Sequence, residues 1–505
     1  MSIIDLELSS LHVTYVFWGL IAASFGLFGR IFRTRLMISA ALYSLLWGLL
    51  LSLILSTITT GLVNTERLIL KEITKAVASI QVFVTMLYLP PHFYKRRWRE
   101  ITALLTLHKV ITSFISFGLL TAIFGSVSGV SWLWYLTLAS LFSITDPVLV
   151  TEFFKGHFAQ KHYPCELRFT LLFETSANDG FGWLYVTLPL AFLIWPQYGV
   201  PSVLLLWFVR FILWETVLGG LLGFLVGFGG AKLFKISEER NWFDRSSFIG
   251  FTVALTLLML GLSLILNLNA LIAVLIGGIT FSNNLRGSER GLESQYQDSL
   301  DSLLNYTVFL LFGLFIPWVS FGEIGLVRLL LLAVGLFLFQ RSISFFIITK
   351  TFSFTHFSNI DKVYTGLFNP IGSSAIFWAI RTEELIPSPI PIVEITYWVI
   401  IMSVLVFGTI SSPLIYLYKR LQPQVTAINR EIYEQRLVKT EEEDLNDLRV
   451  IQSLWKSQDP HDQSKVNQLR RKRELFREPS VSEFAVDSII DLYEERFYQP
   501  KRSKD

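Results

Sequence analysis

Long apolar runs separated by short polar breaks set the rhythm of the first 422 residues. A helix needs about 20 mostly apolar residues to cross the hydrocarbon core of a bilayer. Runs of that kind fall near residues 12 to 29, 36 to 61, 72 to 89, 101 to 124, 132 to 150, 168 to 195, 203 to 231, 246 to 266, 268 to 281, 301 to 319, 324 to 349, 362 to 381 and 391 to 418. The pattern therefore predicts an all-α polytopic membrane protein of about 13 transmembrane helices over residues 1–422, followed by a charged tail over 423–505. In the tail, Leu445, Leu448, Ile451 and Leu454 recur at helical spacing, which predicts an amphipathic helix. A solvated, partly disordered tail is the equal alternative.

Charge sharpens the division. Only 16% of the residues are charged and 52% are hydrophobic, against roughly 25% charge in a soluble domain. Of the 83 charges, 32 lie in the last 83 residues. Basic residues crowd alternate loops, from Arg30, Arg33 and Arg35 through Lys95 to Arg99 to Lys350 and Lys362. The intervening loops are nearly bare, apart from Arg67 and Lys71 in the 62 to 71 connection. By the positive-inside rule the N-terminus is outside and the tail cytoplasmic. Asp5 and Glu7, with no basic residue before Ser10, do not fit a cleaved signal peptide. The single Cys165 excludes an intramolecular disulfide framework, and a net charge of +3 points to no nucleic-acid partner. No His-Glu-x-x-His spacing or nucleophile and base pair is present, so no enzyme and no cofactor is expected. His157 and His162 in a loop are ordinary loop histidines or, less favourably, pH sensors.

Seven ionisable residues fall inside the spans: Lys109, Asp146, Glu174, Asp179, Arg210, Glu215 and Arg341. Each costs about 2.5–3.5 kcal/mol at the bilayer centre on insertion scales, so they must pair or line a polar cavity. The densest polar strip is Glu174-Thr175-Ser176-Ala177-Asn178-Asp179-Gly180. On a helix Glu174 and Asn178 share one face, and Thr175 and Asp179 the adjacent one. Together they offer carboxylate, hydroxyl and amide oxygens, the ligands hard alkali cations prefer. A desolvated carboxylate such as Asp179 holds a proton or a cation rather than a bare charge, which is the requirement for exchange.

Two breaks stand nearby in the pattern. Pro147 in Ser143-Ile144-Thr145-Asp146-Pro147 removes a backbone hydrogen bond in the middle of the fifth span and disfavours helix at Asp146. Asn369-Pro370-Ile371-Gly372-Ser373-Ser374 interrupts the twelfth. Irregular backbone at membrane depth survives where it is buried in protein or lines a cavity. Breaks seven spans apart suit two inverted repeats, each with one discontinuous helix, which is a transporter arrangement. Gly219, Gly223 and Gly227, four residues apart, predict close helix packing, and Arg210 and Glu215 on the same span read as structural.

These residues resemble the cation:proton antiporter-1 family, most closely its fungal plasma-membrane sodium/proton antiporters. The likeness runs through SITDPVLVTEFFKGHFAQKHYPCELRFTLLFETSANDGFGWLYVTLPL, and through Leu89-Pro90, Trp214 to Gly227, Ile316-Pro317-Trp318 and Asn369-Pro370-Ile371-Gly372, in that family's order. The resemblance implies a thirteen-helix homodimer whose core domain, with its two broken crossing helices, moves like an elevator past a dimerisation domain. It implies that Asp179 carries proton and cation, with Asn178 beside it. Thr145 and Asp146 shape the ion site, and Arg341 pairs with Glu174 and with Asn178. Thr175 and Ser176 stand where the fungal pattern has Ser-Gly, so both hydroxyls are counted with the cation ligands. Asn369 replaces a family glycine, and Lys109 has no counterpart role. The implied activity is exchange of sodium, or lithium or potassium, for protons across the plasma membrane in pH and salt homeostasis. An Asn-Asp pair is associated with electroneutral exchange. The alternative from another class is a non-transporting membrane sensor or scaffold that retains the fold and signals through its tail, and a passive channel is a third.

Overall fold

The computed structural model describes residues 19–20, 23–24, 27, 39–55, 63–90, 92–125, 129–145, 147–155, 159, 163–240, 242, 245–285, 294–352, 354 and 357–421. Helices dominate these residues, as the apolar pattern requires. In chain order they are α1 (Ala40–Leu55), α2 (Val63–Tyr88), α3 (Trp98–Phe124), α4 (Trp132–Leu141), α5 (Pro147–Phe154), α6 (Cys165–Ile194), α7 (Val200–Glu239) and α8 (Arg245–Ile265). There follow α9 (Ala270–Asn284), α10 (Ser294–Leu314), α11 (Trp318–Ile324), α12 (Leu326–Thr351), α13 (Asn359–Leu367), α14 (Ser374–Leu385) and α15 (Ile392–Leu421). The first expected span, the charged tail with its proposed helix, His157, His162 and Asp146 lie wholly or mostly outside the described residues.

The other twelve expected spans each coincide with helical structure, with instructive differences. Five helices among the described residues are long and apolar enough to cross a membrane alone, within α3, α7, α8, α12 and α15. The 30 residues of α6 fail that test because the span is polar at its centre, and that centre is buried against other helices rather than lipid. The 62 to 71 connection, read as a loop, is helical from Val63, and its Arg67 and Lys71 pair with Glu383, Glu384 and Glu394. The tenth span is bent by 62° between α10 and α11, where Pro317 starts a new helix. In α7 a π-helical stretch, Phe208–Val217, carries both Arg210 and Glu215.

Close packing fixes the frame. The glycine stripe of α7 lies on α9: a Cβ at Gly223 would fall 1.9 Å from the Ala273 carbonyl oxygen, and one at Gly227 2.4 Å from that of Gly277. Only glycine permits this approach. Against that pair α6 runs through the interior, flanked by α4, α5, α9 and α14.

Both proline breaks are real. Helix α4 ends at Leu141 and α5 starts at Pro147; α13 ends at Leu367 and α14 starts at Ser374. The two unwound segments cross and touch: Thr145 and Ile371 form an antiparallel bridge, and Gly372 N–H donates to the Ile144 carbonyl at 3.0 Å. At Gly372 a Cβ would stand 3.0 Å from the Thr145 carbonyl oxygen, so glycine keeps the crossing tight.

Candidate functional site

The polar strip of α6 sits against this crossing. Glu174, Thr175, Ser176, Asn178 and Asp179 are all buried, and so are Thr145, Lys109 and Arg341. Helical spacing sends Glu174 and Asp179 to different partners. Glu174 meets two cations: Lys109 Nζ at 2.8 Å from Oε1, and Arg341 Nη2 at 2.8 Å from Oε2. A charge that is buried this deeply survives only when paired, and this carboxylate is paired on both oxygens. Arg341 Nε also donates to the Thr365 carbonyl at 3.0 Å. Arg341 therefore reaches Glu174 as the resemblance implies, whereas the Asn178 amide nitrogen turns the other way, to Ser143 and Thr145.

Asn178 faces the first unwound segment. Its Nδ2 donates to the Ser143 carbonyl at 2.9 Å and to Thr145 Oγ1 at 3.0 Å. Both amide hydrogens are thereby placed, and Oδ1 is left buried with no hydrogen-bond partner. Asp179 faces the second segment: Ser374 Oγ donates to its Oδ1 at 2.6 Å, and Trp378 Nε1 donates to its backbone carbonyl at 2.9 Å. The crossing thus gathers a carboxylate, an amide oxygen and the Thr145 hydroxyl oxygen. Ser176 Oγ is also buried with no hydrogen-bond partner. Thr175 stands apart from this set, since its Oγ1 donates back to the Leu171 carbonyl at 2.9 Å within its own helix.

Sequence reasoning had not reached several members. Lys109 was noticed but unplaced; its Nζ bonds Glu174 and the Ser143 carbonyl. Ser374 belongs to the break the sequence marks but carries no assigned role there, and Trp378 gives no signal because it looks like an ordinary residue near a helix start. The signal available was Ser373-Ser374 directly after Pro370-Ile371-Gly372, hydroxyls at the mouth of a broken helix. Asn369, where a family glycine is expected, donates to Gln340 Oε1 at 2.8 Å, while Gln340 Nε2 donates to the Phe142 carbonyl at 2.9 Å. The amide pair ties both unwound segments to α12. Glu215 accepts from Trp183 Nε1 at 2.9 Å, with Arg381 at 3.5 Å and Arg210 at 3.6 Å.

An oxygen-only donor set that includes the Asp179 carboxylate suits a hard monovalent cation. Among the described residues no group of three or more His, Cys, Asp or Glu side chains is placed to hold a metal ion. Residues 19–416 match the family model described as sodium/hydrogen exchanger, transmembrane. The chain is 30% identical over 393 residues to Na(+)/H(+) antiporter 2 of Zygosaccharomyces rouxii, covering 76% of this chain and 47% of that protein. It is 29% identical over 384 residues to the Na(+)/H(+) antiporter of Saccharomyces cerevisiae, covering 74% and 38%. The chain therefore spans half or less of the length of these two relatives. With a Schizosaccharomyces pombe Na(+)/H(+) antiporter it shares 22% identity over 422 residues, 81% of this chain and 86% of that one. The sodium proton antiporter MjNhaP1 of Methanocaldococcus jannaschii at pH 8 has the same fold, with a TM-score of 0.55 at 18% identity over 83% of this chain and 99% of that one.

Proposed function

Because the chain belongs to the sodium/hydrogen exchanger family, we propose that it exchanges sodium for protons across a membrane, with Asp179 holding either one in turn. The observation that carries this reading is the position of Asp179: buried, on the polar strip of α6, held by Ser374 at the crossing of two unwound segments. A bare carboxylate there is costly, so the site changes sides with a proton or a cation aboard but not empty. Sodium arriving at Asp179 displaces the proton, and the proton returning from the other side displaces sodium. Asn178 Oδ1, Thr145 Oγ1 and Ser176 Oγ replace part of the cation's water shell, Thr175 supports the strip, and Asp146, next to Thr145 in the sequence, joins them in shaping the site. Lithium, which is smaller, and potassium, which is larger, compete at the same oxygens.

Glu174 is held between Lys109 and Arg341 and takes no part as carrier. One carboxylate then exchanges one cation for one proton, and turnover moves no net charge. The core around the two broken helices moves as an elevator past a dimerisation domain within residues 1–422, in a homodimer of the plasma membrane. The N-terminus lies outside and the tail 423–505 in the cytoplasm, and the activity serves pH and salt homeostasis. Reconstituted into proteoliposomes, the chain should dissipate an imposed pH gradient on addition of sodium, with no response to membrane potential, and Asp179→Asn should abolish this. Full exchange by Asp179→Asn would overturn the mechanism, and loss of function on removing the tail but not on Asp179→Asn would favour the sensor reading.

A further inference from the structure

Glu174 has more positive charge around it than it needs. The Arg341 guanidinium covers both carboxylate oxygens, with Nη2 at 2.8 Å from Oε2 and Nη1 at 3.4 Å from Oε1. A second buried cation on the same carboxylate adds desolvation cost without leaving any oxygen to satisfy. Lys109 is nevertheless fully buried, at 0% exposure, in direct contact with Glu174.

What Lys109 has that Arg341 lacks is a second bond into the ion site. Its Nζ donates to the Ser143 carbonyl at 3.1 Å. Ser143 lies in the first unwound segment, just past the end of α4 at Leu141. The same carbonyl accepts from Asn178 Nδ2 at 2.9 Å, and that amide's Oδ1 is the buried acceptor without a partner. A connected chain therefore runs from Glu174 through the Lys109 ammonium and the Ser143 carbonyl to the Asn178 amide, one residue from Asp179. An unwound backbone has no helical ladder to hold its carbonyls, so an outside donor decides where they point.

We propose that Lys109 is a positioning residue for cation choice: clamped between Glu174 and the Ser143 carbonyl, it fixes that carbonyl and through it the Asn178 oxygen offered to a small alkali cation. This rests on the reading of Asp179 and Asn178 as the exchange site. Losing the clamp lets the Ser143 carbonyl turn and the Asn178 amide follow, which loosens the spacing of the oxygens. A looser site discriminates poorly between ions that differ in radius.

The experiment uses the full chain in proteoliposomes with sodium, lithium and potassium in parallel, together with sodium-dependent thermal stabilisation of the purified protein. Lys109→Met should raise the half-saturating sodium concentration about tenfold, the equilibrium effect of losing one charge-assisted hydrogen bond. It should bring the sodium and potassium values together while the maximal rate stays within about threefold of the parent, the signature of lost binding rather than lost turnover. Lys109→Arg, which keeps charge and donors, should restore discrimination. Unchanged half-saturation and selectivity in Lys109→Met would overturn the proposal, as would an equal fall in maximal rate in both variants with half-saturation unmoved. Should Lys109→Met fail to fold, Lys109→Gln against Lys109→Arg makes the same comparison, and identical selectivity in those two overturns it. A parent chain that is stabilised by sodium without exchanging it would sink the antiport reading alone, provided Lys109→Met weakens that stabilisation. A parent chain neither stabilised nor transporting sodium would sink both.

Discussion

Trp183 of α6 and Trp378 of α14 lie face to face, with ring centroids 4.4 Å apart and planes 13° from parallel. Their N–H groups point to different places: Trp378 to the Asp179 carbonyl and Trp183 to the Glu215 carboxylate on α7, each at 2.9 Å. The Arg381 guanidinium lies over both rings, at 5.4 and 5.9 Å from their centroids. One aromatic stack thus joins α6, the second broken helix and the glycine-packed helix. Trp378→Phe keeps a ring in the stack and removes one hydrogen bond, so it should cost about 1 kcal/mol. Trp378→Ala empties a fully buried site and should cost about 3–5 kcal/mol. Thermal unfolding of the purified variants checks the order, and equal losses would show that the stack contributes nothing beyond the hydrogen bond.

Glu174 is the shared anion of two cations, and its removal should hurt more than removal of either partner. Glu174→Gln leaves Lys109 and Arg341 buried without a counter-charge and should cost about 3–5 kcal/mol. Arg341→Gln leaves Glu174 still paired with Lys109 at 2.8 Å and should cost less. Melting temperatures in one detergent decide it; a larger loss for Arg341→Gln would mean that Lys109 does not neutralise Glu174.

The α7 and α9 contact predicts a sharp contrast between two glycines of one helix. At Gly223 a methyl group would meet the Ala273 backbone, whereas at Gly229 nothing lies within 4 Å. Gly223→Ala should push the helices apart at a cost of about 1–3 kcal/mol, and Gly229→Ala should leave stability unchanged or raise it by about 0.5–1 kcal/mol through lower chain entropy. Fluorescence-detected gel filtration after a heating series separates these outcomes.

Beyond the end of the twelfth span, Arg67 bridges Glu383 and Glu394. Burial pushes the Glu383 carboxyl above the usual glutamate range, against the pull of Arg67. A raised folded value means that folding favours the protonated form. Its contribution to stability is therefore fully present below the unfolded glutamate value and lost as pH rises through the folded one. Glu383→Gln, neutral throughout, should show less loss of stability than the parent between about pH 4.5 and 7. Parallel pH-dependent melts of the two proteins would reject this if the curves run together.

Much of the site was legible from residue type and spacing. Glu174, Asn178 and Asp179 stand out because an apolar span does not carry such residues without cause, and Pro147 and Pro370 mark breaks because a ring nitrogen cannot donate. Span boundaries were legible to within a few residues wherever lipid-facing apolar runs end in charge. The continuation of α2 back to Val63 was hidden, because its polar first turns meet glutamates more than 300 residues away in sequence. The bend at Pro317 was hidden for a similar reason: one proline sometimes kinks a helix and sometimes starts one, and packing chooses.

By itself, then, the sequence determined the helical membrane architecture, the two breaks and the polar strip, since these follow from local hydropathy and backbone chemistry. Only the tertiary structure decided that the breaks cross at Thr145 and Ile371, that Glu174 answers to Lys109 and Arg341 together, and that Asp179 meets Ser374. These are contacts between residues far apart along the chain. Which buried charge meets which is settled by where whole helices lie, and no local pattern carries that information.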